Sequence, residues 1–212
     1  MKSLGKVGIL GDSYSTFGGY VPEGYAVYYD VDSGENRGFV NDVNKTWWKQ
    51  VVDKTGSNLV INSSYSGSMV CNFDPVKFED RSSYSFITRM QADLSCEVSL
   101  DTILIFGCTN DLWRKATRSE LKYEGHTKQD LNCLYPAKGF MLNYLRSNHS
   151  NARIIFITNP FFDEELTSTV QTACDRYNVE HLHLAEFERV EGHPTEKGMS
   201  QIANQVIEFV SK

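Results

Sequence analysis

Ser13 and His193, at opposite ends of the chain, are the two residues best suited to nucleophilic catalysis. Ser13 lies in a Gly-Asp-Ser turn directly after an apolar stretch at residues 7–10, and His193 precedes a proline at the start of the last helical pattern. A serine hydroxyl is a poor nucleophile at neutral pH, so it needs a base within hydrogen-bond reach. These residue types predict acyl transfer through Ser13, with His193 as the base.

Acyl transfer also needs hydrogen-bond donors for the negative charge that develops on the attacked carbonyl. Asn110 offers a side-chain amide, and Gly67 offers a backbone N–H that a substrate can approach closely. The backbone N–H of Ser13 is a third donor. We expect these three groups to form an oxyanion hole.

The elements that must position these residues follow an alternating pattern. Strands are predicted at residues 7–10, 59–62, 102–106, 153–157 and 179–184, and helices at 45–54, 86–94, 128–147, 163–177 and 195–210. Asn44 is the expected cap of the first helix and Gly56 its stop. This alternation predicts one α/β domain over residues 1–212, a three-layer α/β/α sandwich around a five-stranded parallel sheet.

The strand order expected for this sheet is flavodoxin-like, which places the first and third strands side by side. Ligands bind at the carboxyl ends of such strands, so Ser13 and Asn110 should face one crevice. Two long irregular segments, residues 17–43 and 113–127, are expected to wall it. The first is rich in aromatic residues, which would either line a sugar or acyl pocket or pack against the sheet.

Composition excludes several classes of function. The net charge of −6 and scattered Lys and Arg residues argue against nucleic-acid binding. No apolar run approaches the roughly 20 residues of a membrane span. The first six residues leave no room for a signal peptide, so we expect a cytoplasmic protein, or a secreted or periplasmic one if a signal has been removed.

The cysteines and the remaining histidines suggest structural roles. Five cysteines without a C-x-x-C pair indicate neither a zinc site nor a disulfide framework. Cys108, at the end of a predicted strand, is an alternative nucleophile. Four histidines are expected to be structural: His126, His149, His181 and His183. No metal or organic cofactor is expected.

Taken together, four segments resemble the SGNH (GDSL-type) hydrolases, a family of esterases and lipases. The Gly11-Asp12-Ser13-Tyr14-Ser15 segment is similar to the first block of that family, and Gly67 matches its second-block glycine. Residues 107–111, Gly-Cys-Thr-Asn-Asp, are similar to the third block, and His193-Pro194 to the last. The resemblance covers nearly the whole chain and implies a serine ester hydrolase that forms an acyl-enzyme. Short acyl groups, such as acetyl esters of carbohydrates, are the expected substrates.

One position departs from the pattern of that family. An aspartate usually stands three residues before the histidine and holds the imidazole in the right tautomer, but this chain has Val190 there. The carboxylate of Glu191 or Glu188 is a candidate replacement, and a backbone carbonyl could orient the ring as well.

Two other functions remain open at this point. A lysophospholipase or thioesterase would use the same residues on a different acyl group. A non-catalytic module that binds carbohydrate or another small ligand would account for the missing aspartate. The expected partner is thus a small-molecule or carbohydrate ester, and the sequence leaves the oligomeric state open.

Overall fold

A central sheet of five parallel strands organises the chain in the computed structural model, which describes residues 3–212. The strands are β1 (Lys6–Gly11), β2 (Asn58–Ser64), β3 (Phe73–Asp74), β4 (Glu79–Asp80), β5 (Thr102–Phe106), β6 (Arg153–Thr158), β7 (Glu180–His183), β8 (Arg189–Val190) and β9 (His193–Pro194). The sheet has the order β2-β1-β5-β6-β7, while β3-β4 and β8-β9 form short antiparallel ribbons.

Helices cover both faces of this sheet. They are α1 (Trp47–Lys54), α2 (Phe86–Asp93), α3 (Thr109–Trp113), α4 (Leu134–Asn148), α5 (Glu164–Arg176) and α6 (Glu196–Val210). Helices α1 and α6 share one hydrophobic core, and α2, α4 and α5 share the other. The predicted three-layer α/β/α sandwich and its flavodoxin-like strand order are therefore confirmed.

Strand β5 shows why the sheet is buried on both faces. All five of its residues are buried. Ile103 and Ile105 point into the core under α2 and α4, whereas Leu104 and Phe106 point into the core under α1 and α6. Successive side chains of a strand face opposite sides, so an uninterrupted apolar run supplies both cores.

Two predicted helix starts were wrong. Helix α1 begins at Trp47 and is capped by Thr46, whose Oγ1 accepts from the Lys49 N–H at 3.4 Å, while Asn44 lies in a separate short turn. Helix α4 begins at Leu134 rather than at residue 128, because Cys133 is extended. Pro136 fits this later start, since proline is tolerated in the first turn of a helix.

The predicted loop at residues 113–127 begins within α3, a short helix over Thr109–Trp113 that also carries Asn110. None of the helices formed by residues 3–212 is long and apolar enough to cross a membrane.

Candidate active site

Ser13 lies where β1 ends at the carboxyl edge of the sheet. Asp12 has an extended backbone, and its carboxylate accepts the N–H of Tyr14 at 3.1 Å, which closes a single 3-10 turn over Ser13–Ser15. The turn points the hydroxyl of Ser13 out of the strand, and only 4% of the residue is exposed. Burial of Asp12 raises the pKa of its carboxyl from 3.8 to about 7. A carboxyl with this pKa carries less negative charge at neutral pH than an ordinary aspartate, so the negative charge behind Ser13 is reduced.

His193 reaches Ser13 from the β8-β9 ribbon. In this ribbon Val190 pairs with His193, and the two residues between them, Glu191 and Gly192, have φ angles of 48° and 79°. Positive φ at both central residues is the requirement of a type I′ hairpin turn. The Nε2 atom of His193 lies 3.0 Å from the Oγ atom of Ser13, although 180 residues separate the two in the chain.

The opposite nitrogen of the His193 ring faces a backbone carbonyl. Its Nδ1 lies 3.2 Å from the carbonyl oxygen of Glu191. A carbonyl can only accept, so Nδ1 carries the proton and Nε2 is free to accept from the Ser13 hydroxyl. This is the tautomer that a carboxylate would select in a serine triad.

The two carboxylates proposed from the sequence do not contact His193. Glu191 stands at the tip of the two-residue turn with an exposed side chain, so only its carbonyl turns back to the ring. The carboxylate of Glu188 instead accepts from Thr195 Oγ1 at 2.7 Å and from Lys197 Nζ at 3.0 Å. The expectation of an orienting acid at Glu191 is thus corrected to a backbone contact.

Burial of His193 lowers the pKa of its imidazole from the usual 6.5, and the hydrogen bond to the Glu191 carbonyl opposes that shift in part. A lowered pKa keeps the ring neutral at physiological pH. The residue is therefore ready to accept a proton.

Asn110 and Gly67 follow β5 and β2, the two strands that neighbour β1 in the sheet. Cys108 takes the left-handed conformation at φ 70° and starts α3, which places Asn110 in the first turn of that helix. One amide hydrogen of Asn110 goes to the carbonyl of Ser68 at 3.0 Å, which leaves the other available. Gly67 has φ 81°, and within residues 3–212 neither its N–H nor that of Ser13 donates a hydrogen bond.

A buried arginine that the sequence analysis missed, Arg89, ties these segments together. Its Nη2 donates to the carbonyl of Gly11 at 3.0 Å and to Ser68 Oγ at 2.9 Å, while its other nitrogens donate to carbonyls of Ser63 and Tyr84. Gly11 leads into the turn that carries Ser13, and Ser68 follows Gly67. No sequence signal marks Arg89, because an arginine on an amphipathic helix is usually exposed.

The remaining candidates lie outside this arrangement. Cys108 is buried, and burial raises the pKa of its thiol well above 9.0, which keeps it protonated. The other histidines bond to backbone carbonyls (His126, His149) or to Thr158 (His181, His183). No group of three or more His, Cys, Asp and Glu residues within 3–212 is placed to hold a metal ion.

The aromatic segment at residues 17–43 packs partly against the sheet, as one of its two expected roles required, and partly against His193. Tyr29 and Val40 are buried in the core beside α1 and α6. Tyr28 instead stacks on the ring of His193, and Trp113 at the end of α3 places its ring 6.0 Å from the same imidazole. Both long segments thus contribute aromatic side chains to the surroundings of the base.

A family model and two solved structures point to the same family. The model of the GDSL-like lipase/acylhydrolase family matches residues 5–210. A protein from Bacteroides ovatus ATCC 8483, named as a GDSL-like lipase, is 37% identical, with a TM-score of 0.91 and coverage of 99% of both chains. Another so named, from Bacteroides uniformis ATCC 8492, is 39% identical, with a TM-score of 0.90 and coverage of 98% of this chain and 95% of the other.

More distant structures share only the fold. An acetyl xylan esterase, Est2A, from Butyrivibrio proteoclasticus is 15% identical, with a TM-score of 0.62 and coverage of 99% of this chain and 64% of its own. A search of curated proteins finds no significant match. The resemblance seen in the sequence is confirmed, and the chain belongs to the GDSL-like lipase/acylhydrolase family as a carboxylic ester hydrolase.

Proposed function

We propose that the protein removes acetyl and other short acyl groups from carbohydrate esters, with Ser13 as nucleophile and His193 as general base. The observation that carries this proposal is the 3.0 Å contact between Ser13 Oγ and His193 Nε2, with Nδ1 held by the Glu191 carbonyl. Nucleophile, base and tautomer are all arranged before a substrate arrives.

The reaction has two halves. His193 Nε2 takes the hydroxyl proton as Ser13 Oγ attacks the ester carbon, and the N–H groups of Ser13 and Gly67 and the amide of Asn110 bind the resulting oxyanion. The imidazolium then protonates the leaving alcohol, and an acyl group remains on Ser13. Water, deprotonated by His193, attacks that acyl group and releases the carboxylic acid and the free serine.

The burial of the site supports a short acyl group. Ser13 is 4% exposed and Asn110 6% exposed, so an ester must bring its carbonyl to groups that lie almost entirely below the surface, and a compact acetyl group does this more easily than a long chain.

A carbohydrate as the alcohol is supported by the aromatic surface beside the base. Trp113 is 44% exposed and stacks on Phe161 at an interplanar angle of 10°. Exposed aromatic faces suit the apolar faces of sugar rings. The fold shared with an acetyl xylan esterase suggests which substrates to test first.

The test is hydrolysis of p-nitrophenyl acetate, butyrate and octanoate, followed by acetate release from acetylated xylo-oligosaccharides. Wild-type protein should prefer acetate, and Ser13→Ala and His193→Ala should each lower kcat by about 10³-fold or more. The matched control is Ser66→Ala, which replaces a half-buried serine beside Gly67.

Three outcomes would change the assignment. Faster turnover of octanoate or of thioesters would favour a lysophospholipase or thioesterase. Binding of acetylated sugars by a wild-type protein that turns over none of these esters would favour a binding module. Undiminished hydrolysis by Ser13→Ala would exclude Ser13 as the nucleophile.

A further inference from the structure

Tyr28 lies flat against the imidazole of His193. The two ring centroids are 3.7 Å apart and the ring planes differ by 10°. Trp113 and Tyr14 approach the same imidazole at 6.0 and 5.4 Å, but at interplanar angles of 68° and 60°. Tyr28 is the aromatic residue among these three that presents its face to the base.

The nucleophile turn itself fixes the position of Tyr28. The N–H of Tyr28 donates to Thr16 Oγ1 at 2.9 Å, and the hydroxyl of Thr16 donates to the carbonyl of Ser13 at 3.1 Å. Thr16 is fully buried. Two hydrogen bonds therefore link the stacking partner of the base to the residue that the base activates.

Two neighbouring tyrosines hold the backbone on either side of His193. The hydroxyl of Tyr29 donates to the carbonyl of Pro194 at 2.7 Å, and the hydroxyl of Tyr14 donates to the carbonyl of Gly192. Tyr14 and Tyr29 are both fully buried. The segment that carries the base is thus held by side chains from the segment that carries the nucleophile.

These contacts matter because no carboxylate among residues 3–212 forms a hydrogen bond with the His193 ring. In a serine triad the acid orients the imidazole and also stabilises its cationic form after proton transfer. The Glu191 carbonyl orients the imidazole. It stabilises the imidazolium only through its bond dipole, because it lacks the full negative charge of a carboxylate. The face of an aromatic ring is electronegative and attracts a cation placed over it.

We propose that Tyr28 is a positioning residue that replaces part of the missing acid. Its ring holds the imidazole over Ser13 and stabilises the imidazolium that forms as the hydroxyl is deprotonated. This inference rests on the proposed function for the reaction itself. The stacking and its effect on the protonation of His193 exist without a substrate.

Few other charged or titratable groups face this pair. Ser13, Tyr14 and the carbonyl of Glu191 surround the imidazole, and Arg189 lies near Tyr14. Burial, and after it the charge of the Glu191 carboxylate, raises the pKa of the Tyr28 hydroxyl, so this carboxylate faces Tyr28. The guanidinium of Arg37 lies 5.5 Å from the centre of the Tyr28 ring, but it is paired with Asp30 at 3.1 Å. A neighbouring carboxylate therefore offsets the positive charge of Arg37.

The experiment compares Tyr28→Phe, which keeps the aromatic face, with Tyr28→Leu and Tyr28→Met, which keep apolar cover without it. Esterase activity on p-nitrophenyl acetate should fall about ten-fold in kcat for Leu and Met, with KM changed less than two-fold, and should stay within two-fold for Phe. Tyr20→Leu is the control, because Tyr20 belongs to the same segment and packs on Phe17 and Trp48 instead.

A second measurement reports on the base without turnover. Proton NMR titration of His193, assigned by its loss in His193→Gln, should give a lower pKa in Tyr28→Leu and Tyr28→Met than in wild type and Tyr28→Phe. A π face favours the charged ring, so removing it favours the neutral one.

The two readouts separate this inference from the proposed function. If the wild-type protein shows no hydrolysis that depends on Ser13, the proposed function is overturned. The NMR titration would still decide the role of Tyr28. Equal kcat and equal His193 pKa in Tyr28→Phe and Tyr28→Leu would overturn the inference even in an active esterase. Thermal melts show whether each variant is folded, and Tyr28→Met replaces Tyr28→Leu if the latter is not.

Discussion

The side-chain amide of Asn110 donates to the carbonyl of Ser68 at 3.0 Å, which joins the helix after β5 to the loop that carries Gly67. The carboxylate of Asp111 reinforces this junction by accepting the N–H groups of Val70 and Cys71 at 2.9 to 3.2 Å. Two of the three proposed oxyanion donors are therefore fixed relative to each other before a substrate binds.

Replacing Asn110 should cost catalysis more than substrate binding. Asn110→Ala removes one preorganised donor, and we expect kcat to fall by about 10² to 10³-fold with little change in KM. Steady-state kinetics on p-nitrophenyl acetate measure both values. Asn151→Ala, at an exposed position before β6, is the control. A loss below about five-fold would show that Asn110 is not an oxyanion donor.

Arg89 should matter first for stability. Arg89→Met leaves buried carbonyls of Gly11, Ser63 and Tyr84 without their donor, so we expect unfolding free energy to fall by about 3 kcal/mol. Urea denaturation measures this change. Arg89→Lys keeps the charge but not the fork of donors, and its stability should be intermediate. A methionine variant as stable as wild type would show that the hydrogen bonds of Arg89 contribute nothing net.

The carboxylate of Glu191 should be dispensable. Because the His193 ring contacts the carbonyl of residue 191, Glu191→Gln should retain kcat within about two-fold, and Glu188→Gln should do the same. Gly192→Val, by contrast, should reduce kcat, since φ 79° disfavours a branched side chain and a Cβ there would lie 3.1 Å from Trp113. A drop of more than ten-fold in Glu191→Gln would restore the acid to the mechanism.

The pH dependence of kcat/KM should reflect the lowered pKa of His193. The base must be neutral to accept a proton, and burial shifts its pKa below 6.5, so the midpoint of the acid limb of kcat/KM should lie below pH 6.5. The lowered pKa of His193 also makes the stability of the folded protein depend on pH. The folded state binds fewer protons at this site than the unfolded state, so its contribution declines as pH falls below 6.5. A kcat/KM profile from pH 4 to 9 whose acid limb has its midpoint above pH 7 would contradict this assignment.

Asp12 should make stability depend on pH in the opposite direction. Its pKa is about 7 in the folded state against 3.8 normally, so its favourable contribution is complete below about pH 4 and is lost as pH rises through 7. Asp12→Asn keeps the acceptor for the Tyr14 N–H. The change that it causes in the free energy of unfolding should be more favourable at pH 8 than at pH 5 by about 1 to 3 kcal/mol. Thermal melts at both values measure this difference. The exposed Asp32→Asn should show no such difference, and equal effects of Asp12→Asn at both pH values would refute the shift.

The sequence was sufficient to locate the candidate site because sheet topology determines where strand ends meet. Ser13 and Asn110 directly follow β1 and β5, which are neighbours in the sheet, so their proximity follows from strand order alone. Local details were less determined. Asn44 and Thr46 are both good helix caps two residues apart, and only the backbone conformation selects Thr46.

Contacts made by irregular or buried segments could not be read from residue type. The stacking of Tyr28 on His193 depends on the path of a long loop, and several tyrosines in that loop were equivalent in sequence. Arg89 looks like any surface arginine of a helix until its burial is known. Residue 191 contacts His193 through its backbone carbonyl, and because every residue has one, the residue type does not reveal this contact.

The contact between His193 and a main-chain carbonyl determines which mutations the site tolerates. Where a carboxylate orients the base, a single missense change at that position removes the orienting group. Here the orienting group is the main chain at residue 191, so any side chain that tolerates a φ of 48° can stand there while the chain keeps its carbonyl. The constraint falls instead on the length of the two-residue turn, because an inserted or deleted residue moves the carbonyl away from Nδ1 and changes the register of Val190 and His193. Selection on this site should therefore act against insertions and deletions more strongly than against substitutions.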